Sequence, residues 1–493
     1  MTVGSVMELL SVQTILFTVF GTFAGIIVGA IPGLTATMAV AVLTSLTFGM
    51  NDIDAIAMML GVFVGGVYGG SIAAILMKVP GTSSAVMTSL DGYPMAQRGE
   101  AGKAIGISTV SSFIGGMFSC IVLVLGCSLI ATVAAQFGYP EYFVLSIFGL
   151  VVIADASSES LLKGLLSTII GVLITTIGMD SLTGLNRFAF GSRELMAGID
   201  QVPVLIGLFG VSEIIKQLFT MDKGKKDYQK IGKIFPGWKL IWKLKGTLFR
   251  STVIGTGVGI MPGAGGPIAA FVAYNSEKTN SDHPEKFGTG IPEGIAAPEC
   301  ANNATVGGAL IPMLSLGVPG DGVTAIMMST FAIHGLRLGP MIFVEQGPIV
   351  TGVYIYSIIA NICMLFMGLF LARFFAKLLK LDKRMLLPLI LITCVVGSYA
   401  SSNKTFFILV MVVFGVLGFL LESVGVSSSP LILGMVLGDL LETNLRQSLI
   451  LSQGSYEIFF NRPICIFFWV LTVFMVAYPK VKRLIQKERA KAE

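Results

Sequence analysis

Long apolar runs recur along the whole chain, and short polar segments separate them. The apolar runs cover residues 14–31, 55–77, 104–135, 140–154, 161–179 and 202–219 and, after a break, 251–273, 304–318, 348–371, 385–400, 405–421, 429–441 and 463–478. A helix crosses the hydrocarbon core of a bilayer with about 20 apolar residues. The pattern therefore predicts an all-α polytopic membrane protein with about 12 membrane helices, some of them broken.

Composition and charge agree with this class. The chain has 493 residues, of which 54% are hydrophobic and 12% charged, and its mean hydropathy is +0.85, whereas about 25% of the residues in a soluble domain are charged. The net charge is +5, and the basic residues gather in 216–250, in 373–384 and in the tail from 480. Basic clusters between spans are typical of the cytoplasmic side. We therefore expect contact with membrane lipid at the tail and no nucleic-acid partner.

The N-terminus and the cysteines add two further expectations. Residues 1–13 contain no Lys or Arg, so the positive region of a signal peptide is missing and the first apolar run is expected to be retained. The six cysteines show no paired spacing that would suggest disulfides or a zinc site. They are predicted to be reduced packing residues.

Segments of the first half of the chain recur, in the same order, in the second half. Gly25–Ala39 is similar to Gly255–Ala269, and Gly69–Ser83 is similar to Gly307–Gly322 with one residue inserted. A fainter similarity joins 202–213 and 429–442. The order predicts an internal duplication, with a first transmembrane repeat at 1–219, a basic cytoplasmic linker at 220–250, a second repeat at 251–460, and a final membrane helix with a basic cytoplasmic tail at 461–493.

The flanking charges suggest that the two repeats are inverted. The span leading to Pro262 follows the Lys-rich linker, whereas its counterpart leading to Pro32 follows a stretch without Lys or Arg. Opposite flanks favour opposite orientations. Inverted repeats with Gly/Pro-interrupted helices are typical of secondary transporters, whose site lies between the repeats. A parallel duplication with an unusually neutral cytoplasmic N-terminus is the alternative.

Four Pro-Gly pairs interrupt the apolar runs, at Pro32, Pro80, Pro262 and Pro319. Proline removes a helical hydrogen bond and glycine permits conformations closed to other residues, so each pair can end a helix inside the membrane. Free helix N-termini attract anions, and unwound carbonyls and hydroxyls bind cations. The alternative is a simple kink or close packing of glycines. The candidate substrate-binding residues are Gly33, Thr35, Gly81, Thr82, Ser83, Gly263, Gly265, Asn302, Asn303 and Gly320. The candidate ligands of a Na⁺ ion are Pro32, Pro80, Pro262, Glu299, Asn302 and Pro319.

The stretch 290–322 concentrates polar side chains inside an apolar region. If the segment after Pro298 is helical, Glu299, Asn302 and Asn303 lie on one face. Intramembrane ionisable residues indicate a functional site. The structural alternative is that Glu299 complements a helix N-terminus with Pro298 at its first position, and that the two amides are interhelical hydrogen-bonding groups.

Three further polar regions have weaker interpretations. The Asp-Gly and Tyr-Pro pairs of 88–104 predict a loop with a short amphipathic piece, in which Asp91 binds a cation, acts as a gate or caps a turn. The region 160–198 is expected to be mainly extramembrane. His334 is expected to be a structural imidazole, although a proton role is the alternative.

Motifs for other chemistries are missing. There is no GxxxxGK[ST] phosphate loop, and the GxGxG at Gly255–Gly259 has no preceding strand, so ATP-driven transport and dinucleotide binding are not indicated. No HExxH, GxSxG or His/Cys metal cluster occurs. We therefore expect no enzyme and no cofactor besides a coupling ion. A membrane enzyme that uses Glu293 and Glu299 as a carboxylate pair, and a passive anion channel, are the competing hypotheses.

Several longer strings together resemble a known family. They are GAIPGLTATMAVA at 29–41, GGVYGGSIAAILMKVPGTSSAVMTSLDGYPMAQRGEA at 65–101, IGMDSLTGLNRFAFG at 177–191, VPVLIGLFGVSEI at 202–214, GIMPGAGGPIAAFVAY at 259–274, FGTGIPEGIAAPECANNATVGGALIPMLSLGVPG at 287–320 and LLETNLRQSL at 440–449. On these residues the chain resembles the large membrane subunit of the tripartite tricarboxylate transporters, the TctA family. Cys300 stands where the family leads us to expect alanine, and Asp321 where it leads us to expect a small hydroxyl residue.

The resemblance implies a multi-pass permease of the bacterial inner membrane. It would import an organic carboxylate, a tricarboxylate such as citrate or a related di- or monocarboxylate, with a Na⁺ or H⁺ gradient as the driving force. Its implied partners are a small four-helix, TctB-like membrane subunit and a periplasmic, TctC-like solute-binding protein. An elevator-like motion with re-entrant hairpins is implied, and Glu293, Glu299, Asn302 and Asn303 are implied as part of the site.

Overall fold

The structure is a computed structural model, and it describes residues 10–134, 136–156, 160–180, 182–219, 231–378 and 383–492. The expected linker lies partly outside these residues, which resume at 231. In the described residues the only sheet is a two-stranded hairpin, and nearly everything else is helical. The prediction of an all-α polytopic membrane protein is confirmed.

In the part of the chain that the structure describes, six helical runs are long and apolar enough to cross a membrane. They are Val12–Ala30, Asp52–Met77, Ser83–Val133, Gln201–Phe219, Gly347–Phe370 and Phe406–Ser423. The same described residues contain six shorter apolar helical runs, at Ala36–Thr47, Tyr139–Ala154, Leu161–Thr175, Gly322–Ile333, Leu387–Ala400 and Pro463–Ala477. The third long run includes 88–104, so the predicted loop there is wrong.

The chain divides into two compact units, and each contains segments from both sequence halves. The first unit comprises Met1–Thr132 and Val202–Leu420, and the second comprises Val133–Gln201 and Leu421–Glu493. The boundaries of the two units therefore differ from the boundaries of the two predicted repeats.

The first unit contains both pairs of interrupted helices. From the first half it takes α1 (Val12–Ala30), α2 (Ala36–Thr44), α3 (Asp52–Met77), α4 (Val86–Met95) and α5 (Ala101–Ala134). Short 3₁₀ turns lie at Ser45–Thr47 and Ser83–Ala85, and a π-helical turn at Ala96–Glu100 joins α4 to α5.

The end of the first half and the second half supply the remaining helices of this unit. The second unit takes α6 (Tyr139–Ala156), α7 (Leu161–Thr175) and α8 (Arg193–Met196). The first unit continues with α9 (Gln201–Leu205) and α10 (Ser212–Phe219). Its later helices are α11 (Trp238–Lys243), α12 (Lys245–Ile260), α13 (Gly265–Thr279), α14 (Glu293–Leu316), α15 (Gly322–Ile333), α16 (Ile342–Glu345), α17 (Gly347–Phe370), α18 (Ala372–Leu378), α19 (Lys383–Ala400) and α20 (Phe406–Ser423). A second π-helical turn lies at Ile206–Val211, and a 3₁₀ turn at Pro284–Lys286.

The interrupted helices pack closely through glycine. A Cβ added to Gly25 of α1 would lie 2.4 Å from the carbonyl oxygen of Val62 on α3. In the second half, a Cβ on Gly255 of α12 would lie 2.2 Å from the carbonyl oxygen of Ala301 on α14. Small residues permit such backbone contact between membrane helices, where hydrocarbon solvent gives no hydrophobic driving force for their association.

The second unit is built on α6, α7, α21 (Ser429–Leu451) and α22 (Pro463–Ala492), with a 3₁₀ turn at Tyr456–Phe459. Gly171 of α7 and Gly434 of α21 lie backbone to backbone. The strands β1 (Gly178–Met179) and β2 (Asn186–Arg187) form an antiparallel hairpin after α7. Part of the region 160–198, expected from the sequence to be mainly extramembrane, is therefore an apolar helix that contains Lys163. Asp180 and Arg187 lie in the hairpin that follows it, and Arg193 and Glu194 lie in α8.

Candidate functional site

The Pro32 and Pro262 breaks have the same backbone geometry. Ile31 and Met261 are extended, with φ/ψ of −76°/120° and −78°/115°, and each donates its N–H to the carbonyl three residues earlier. Gly33 and Gly263 then adopt positive φ, 91° and 82°, which only glycine does without strain. The matching conformations agree with the duplication inferred from the sequence.

The Pro80 and Pro319 breaks are also alike. The preceding helices α3 and α14 end at Lys78 and Gly317, both left-handed, with φ of 57° and 67°. Helical structure resumes after Thr82 in the first half. In the second half Asp321 caps α15. Its side chain accepts from the backbone N–H of Thr324 at 2.8 Å, and the Thr324 hydroxyl accepts from the backbone N–H of Asp321. The unexpected aspartate therefore has a capping role.

Close contacts join the two breaks within each half. The N–H of Gly263 donates to the carbonyl of Gly320 at 2.7 Å. A Cβ on Gly265 would lie 3.5 Å from the Cβ of Asp321. In the first half, a Cβ on Gly81 would lie 2.0 Å from the carbonyl oxygen of Gly29, just before the Pro32 break. Each half thus brings its own two breaks together.

Asn302 lies where breaks of the two halves approach each other. A Cβ on Gly266 would lie 2.3 Å from Asn302 Oδ1 and 3.3 Å from the Cβ of Ser84. Asn302 is buried, and its Nδ2 is 3.4 Å from the carbonyl oxygen of Val67 on α3. The start of α13, the polar part of α14 and the turn after Pro80 therefore share one place in the first unit.

The hydroxyls predicted at the breaks have different surroundings. Thr35 caps α2 by accepting from the N–H of Met38 at 3.1 Å. Thr82 is buried, and its hydroxyl lies 3.1 Å from that of Ser84, which is also buried, whereas Ser83 is exposed. Of the hydroxyl residues that follow the Pro80 break, Thr82 and Ser84 are therefore buried there and Ser83 is not.

Gln217 of α10 is a polar neighbour of the Pro32 break that the sequence interpretation missed. It is buried and donates to Glu213 Oε1 at 3.0 Å. A Cβ on Gly33 would lie 2.7 Å from its Nε2. No motif distinguishes this glutamine, because its approach to Gly33 depends on how α10 packs.

Glu299 is fully buried and surrounded by hydroxyls. Its Oε1 is 2.5 Å from the Thr88 hydroxyl on α4, and its Oε2 is 3.1 Å from both the Ser108 and the Ser112 hydroxyl on α5. Ser108 in turn contacts Ser71 of α3 at 2.8 Å. The site thus joins three helices of the first half to α14 of the second half.

The sequence interpretation missed these hydroxyls, although a signal existed. Ser108 and Ser112 are spaced i, i+4 in a run that also contains Thr109 and Ser111, and this spacing places the side chains of Ser108 and Ser112 on one helix face. Serine is also common as a small packing residue between membrane helices, so the pattern alone does not show that the two residues face a carboxyl group.

The polar residues of α14 divide between two neighbours. Asn303 donates to the Ser112 hydroxyl at 2.8 Å and to the Glu299 carbonyl at 3.1 Å, and its Oδ1 is buried without a hydrogen-bond partner. Glu299 and Asn303 thus both face α5, while Asn302 faces α3 and Gly266. The helix predicted after Pro298 is present, and its polar side chains contact α5 on one side and α3 and Gly266 on the other.

Pro298 lies inside α14, five residues after its start at Glu293. The hypothesis that Pro298 begins a helix and that Glu299 complements its N-terminus is therefore wrong. Glu293 occupies the first turn instead. Six residues of α-helix separate the two glutamates by about 9 Å along the axis, so the two carboxyl groups of the enzyme hypothesis are not in direct contact.

Asp91 is part of α4 and is fully buried. It accepts from the backbone N–H groups of Gly288, Gly290 and Ile291 at 2.7–3.0 Å and from the Tyr274 hydroxyl at 2.9 Å. These donors satisfy the carboxylate. The capping interpretation is therefore correct in kind, although the capped segment lies about two hundred residues away in sequence.

The described residues contain no cluster of the side chains that usually bind metal ions in proteins. They contain no group of three or more His, Cys, Asp or Glu side chains that could hold a metal ion. The cysteines are free, and all except Cys363 are buried. His334 pairs with Asp52, with 3.3 Å between Nδ1 and Oδ1, which agrees with a structural role.

A network of charged side chains fixes the hairpin of the second unit. Arg446 of α21 contacts Asp180 at 2.8 Å and Glu442 at 3.2 Å, and Arg187 of β2 contacts Glu442 at 2.5 Å. Hydrogen bonds from Thr183 and Arg446 hold the pKa of Asp180 well below its usual range. The network joins the strings 177–191 and 440–449.

The chain is similar to known proteins over most of its length. Residues 15–433 match the tripartite tricarboxylate transporter TctA family. A protein of Agrobacterium vitis, described as an uncharacterized 52.8 kDa protein in the TAR-I ttuC' 3' region, is 36% identical over 444 residues, which are 90% of this chain and 88% of that protein. A second protein of that organism, described as an uncharacterized protein in the TAR-II ttuC' 3' region, is 38% identical over 43% of this chain and 87% of its own length. No solved structure matches the chain. With interrupted membrane helices and a family match of this extent, the chain belongs to the TctA family of tripartite tricarboxylate transporters and is a transporter component, not an enzyme.

Proposed function

We propose that the chain is the permease subunit that moves an organic carboxylate across the bacterial inner membrane, driven by a Na⁺ or H⁺ gradient. The substrate is a tricarboxylate such as citrate or a related di- or monocarboxylate. A small four-helix membrane subunit and a periplasmic solute-binding protein that delivers the substrate complete the transporter. The observation that carries this proposal is the meeting of Pro-Gly breaks from both halves around buried Asn302.

The breaks offer suitable groups for an anion. The N-termini of α2 and α13 begin directly after the Pro32 and Pro262 breaks, and backbone N–H groups at a helix start attract negative charge. The amides of Asn302 and Asn303 add neutral donors and acceptors. Asp321 places a carboxylate at the start of α15, so we assign the carboxylate substrate to the other breaks.

The coupling ion is assigned to the oxygen-rich surroundings of Glu299. A buried acid among hydroxyls can bind a proton, and hydroxyl, amide and carboxylate oxygens also suit a hard cation. Alternation between two inverted repeats by an elevator-like motion would expose the site to each side of the membrane in turn. The matched breaks of the two halves support the repeat on which that motion depends.

The test is uptake of labelled citrate and smaller carboxylates by membrane vesicles that contain the chain, the small membrane subunit and the binding protein. Na⁺ and pH gradients are varied separately. Asn302→Ala should abolish uptake at an unchanged level of protein in the membrane, while the exposed Asn280→Ala should leave uptake unchanged. Normal uptake by Asn302→Ala contradicts the site, and flux that ignores both gradients favours a passive channel.

A further inference from the structure

The hydroxyl groups beside Glu299 form a chain of hydrogen bonds, and the donor of each bond can be assigned. Ser71 donates to the backbone carbonyl of Tyr68 at 2.9 Å, and a carbonyl can only accept. The 2.8 Å contact between Ser71 and Ser108 therefore uses the hydrogen of Ser108. A serine hydroxyl carries one hydrogen, so Ser108 has none left for Glu299 Oε2, which lies 3.1 Å away.

The other contacts of the carboxyl group each have their own hydrogen. Asn303 Nδ2 donates to Ser112 Oγ at 2.8 Å, which leaves the hydrogen of Ser112 free for Glu299 Oε2. Thr88 donates to Oε1. The contact between Ser108 Oγ and Glu299 Oε2 is thus the only one that lacks a hydrogen, and the carboxyl group is the remaining group that can supply it.

No positive charge faces Glu299 from the described parts of the elements around it. The titratable neighbours are the Tyr68 phenol of α3, which contacts Thr109, and the Cys300 thiol of α14, which faces the Leu248 carbonyl. On α4, Asp91 is held by backbone N–H groups. Lys103 of α5 and Glu100 of the preceding π-helical turn form their own ion pair, and Glu293 lies at the start of α14. An ionised, unpaired carboxylate would be costly in such surroundings.

We propose that Glu299 is the proton-carrying group of the transport cycle, and that in this arrangement it is a carboxylic acid that donates its hydrogen to Ser108. This rests on the proposed function and selects the proton from the two coupling ions. A proton from water on one side of the membrane forms the Oε2–H bond and removes one negative charge. Its return to water on the other side breaks that bond and restores the charge.

Asp54 provides a matched contrast within the same unit. This buried carboxyl group accepts from Gln13 Nε2 at 2.6 Å, Thr14 Oγ1 at 2.5 Å and Asn51 Nδ2 at 2.7 Å. Ser11 can donate to Thr14, 2.7 Å away, so every contact has a hydrogen without one on Asp54. The same reasoning therefore assigns an ionised carboxylate to Asp54.

The experiment compares Glu299→Gln with Asp54→Asn in proteoliposomes that contain the chain and the small membrane subunit, with the binding protein supplied. Two quantities are measured, exchange of labelled for unlabelled carboxylate without a gradient and accumulation under a pH gradient. Glu299→Gln offers a permanent amide hydrogen to Ser108, so it should retain exchange and lose accumulation. Asp54→Asn should retain both.

Infrared difference spectroscopy supplies a readout that does not depend on transport. The band of a protonated carboxylic acid should be present in the unchanged protein and in Asp54→Asn, and absent from Glu299→Gln. The proposal is overturned if Glu299→Gln still accumulates substrate under a pH gradient, if its acid band is unchanged, or if a Na⁺ gradient alone drives the unchanged protein. Absence of both exchange and uptake in the unchanged protein would instead overturn the proposed function.

Discussion

The backbone N–H of Gly263 donates to the carbonyl of Gly320 at 2.7 Å, and this bond joins the two Pro-Gly breaks of the second half. The bond requires close backbone approach at both positions. Gly320 also lies against Ala309 of α14, where an added Cβ would be 2.5 Å from the Ala309 Cα. The position of the Pro319 break thus depends on the absence of a side chain at Gly320.

Gly320→Ala should displace the Pro319 break from the Pro262 break. Forcing a methyl group into a packed interior costs about 1–3 kcal/mol of folding free energy, and misplacing the breaks should abolish carboxylate uptake. Thermal unfolding in detergent and vesicle uptake measure the two effects. Gly257→Ala is the matched control, because nothing lies within 4 Å of a Cβ at that position. Equal behaviour of the two variants would contradict the packing argument.

Asp91→Asn should destabilise the loop that leads into α14. Asparagine has one acceptor oxygen and adds an NH₂ group opposite the N–H groups of Gly288, Gly290 and Ile291, so at least one of these donors loses its partner. A lost buried partner costs about 1–3 kcal/mol. Thermal unfolding in detergent should show the loss, with the exposed Asp282→Asn unchanged. An Asp91→Asn variant as stable as the unchanged protein would show that the carboxylate is dispensable.

Thr44 and Thr330 should contribute jointly to stability. Their hydroxyls lie 2.9 Å apart and join α2 of the first half to α15 of the second. Thr44 donates to the Val40 carbonyl at 2.7 Å, whereas Thr330 lies 3.4 Å from the Ile326 carbonyl, so Thr330 is the better placed donor between the two hydroxyls. A double-mutant cycle of Thr44→Val and Thr330→Val should give a coupling energy of about 0.5–1.5 kcal/mol. Additive effects would show that the hydroxyl pair makes no net contribution.

The sequence was sufficient for the class of fold and for the positions of the breaks, because apolar length and Pro-Gly pairs act locally. Pro32 and Pro262 interrupt their helices in the same way because the local sequence is similar. The contacts of Glu299 were not predictable, since they depend on the packing of α4, α5 and α14 against one another. Residues 88–104 were misread as a loop. Their turn-forming pairs lie within α4, and the π-helical turn that follows, with Gly99 at φ 85°, carries the helix into α5.

The charged network of the second unit predicts a specific dependence of stability on pH. Asp180 accepts from Thr183, from the Leu182 N–H and from Arg446, and these bonds lower its pKa in the folded state. A lowered folded-state pKa stabilises the fold above the unfolded-state pKa, about 3.9 for aspartate. That contribution is lost as pH falls below this value toward the folded-state pKa.

Asp180→Asn should therefore lower the unfolding temperature of the detergent-solubilised protein by an amount that is constant from about pH 8 to pH 5. The difference from the unchanged protein should shrink as the pH falls below about 4, because both then lack the charge. Part of the network is accessible to solvent, with Arg187 and Glu442 each 28% exposed, so added salt should also reduce the difference. Asp282→Asn, a change at an exposed residue outside the network, is the control for a general effect of removing an acid. A difference that grows toward low pH would mean that Asp180 is protonated in the folded protein, which is the opposite of what its bonds to Arg446 imply.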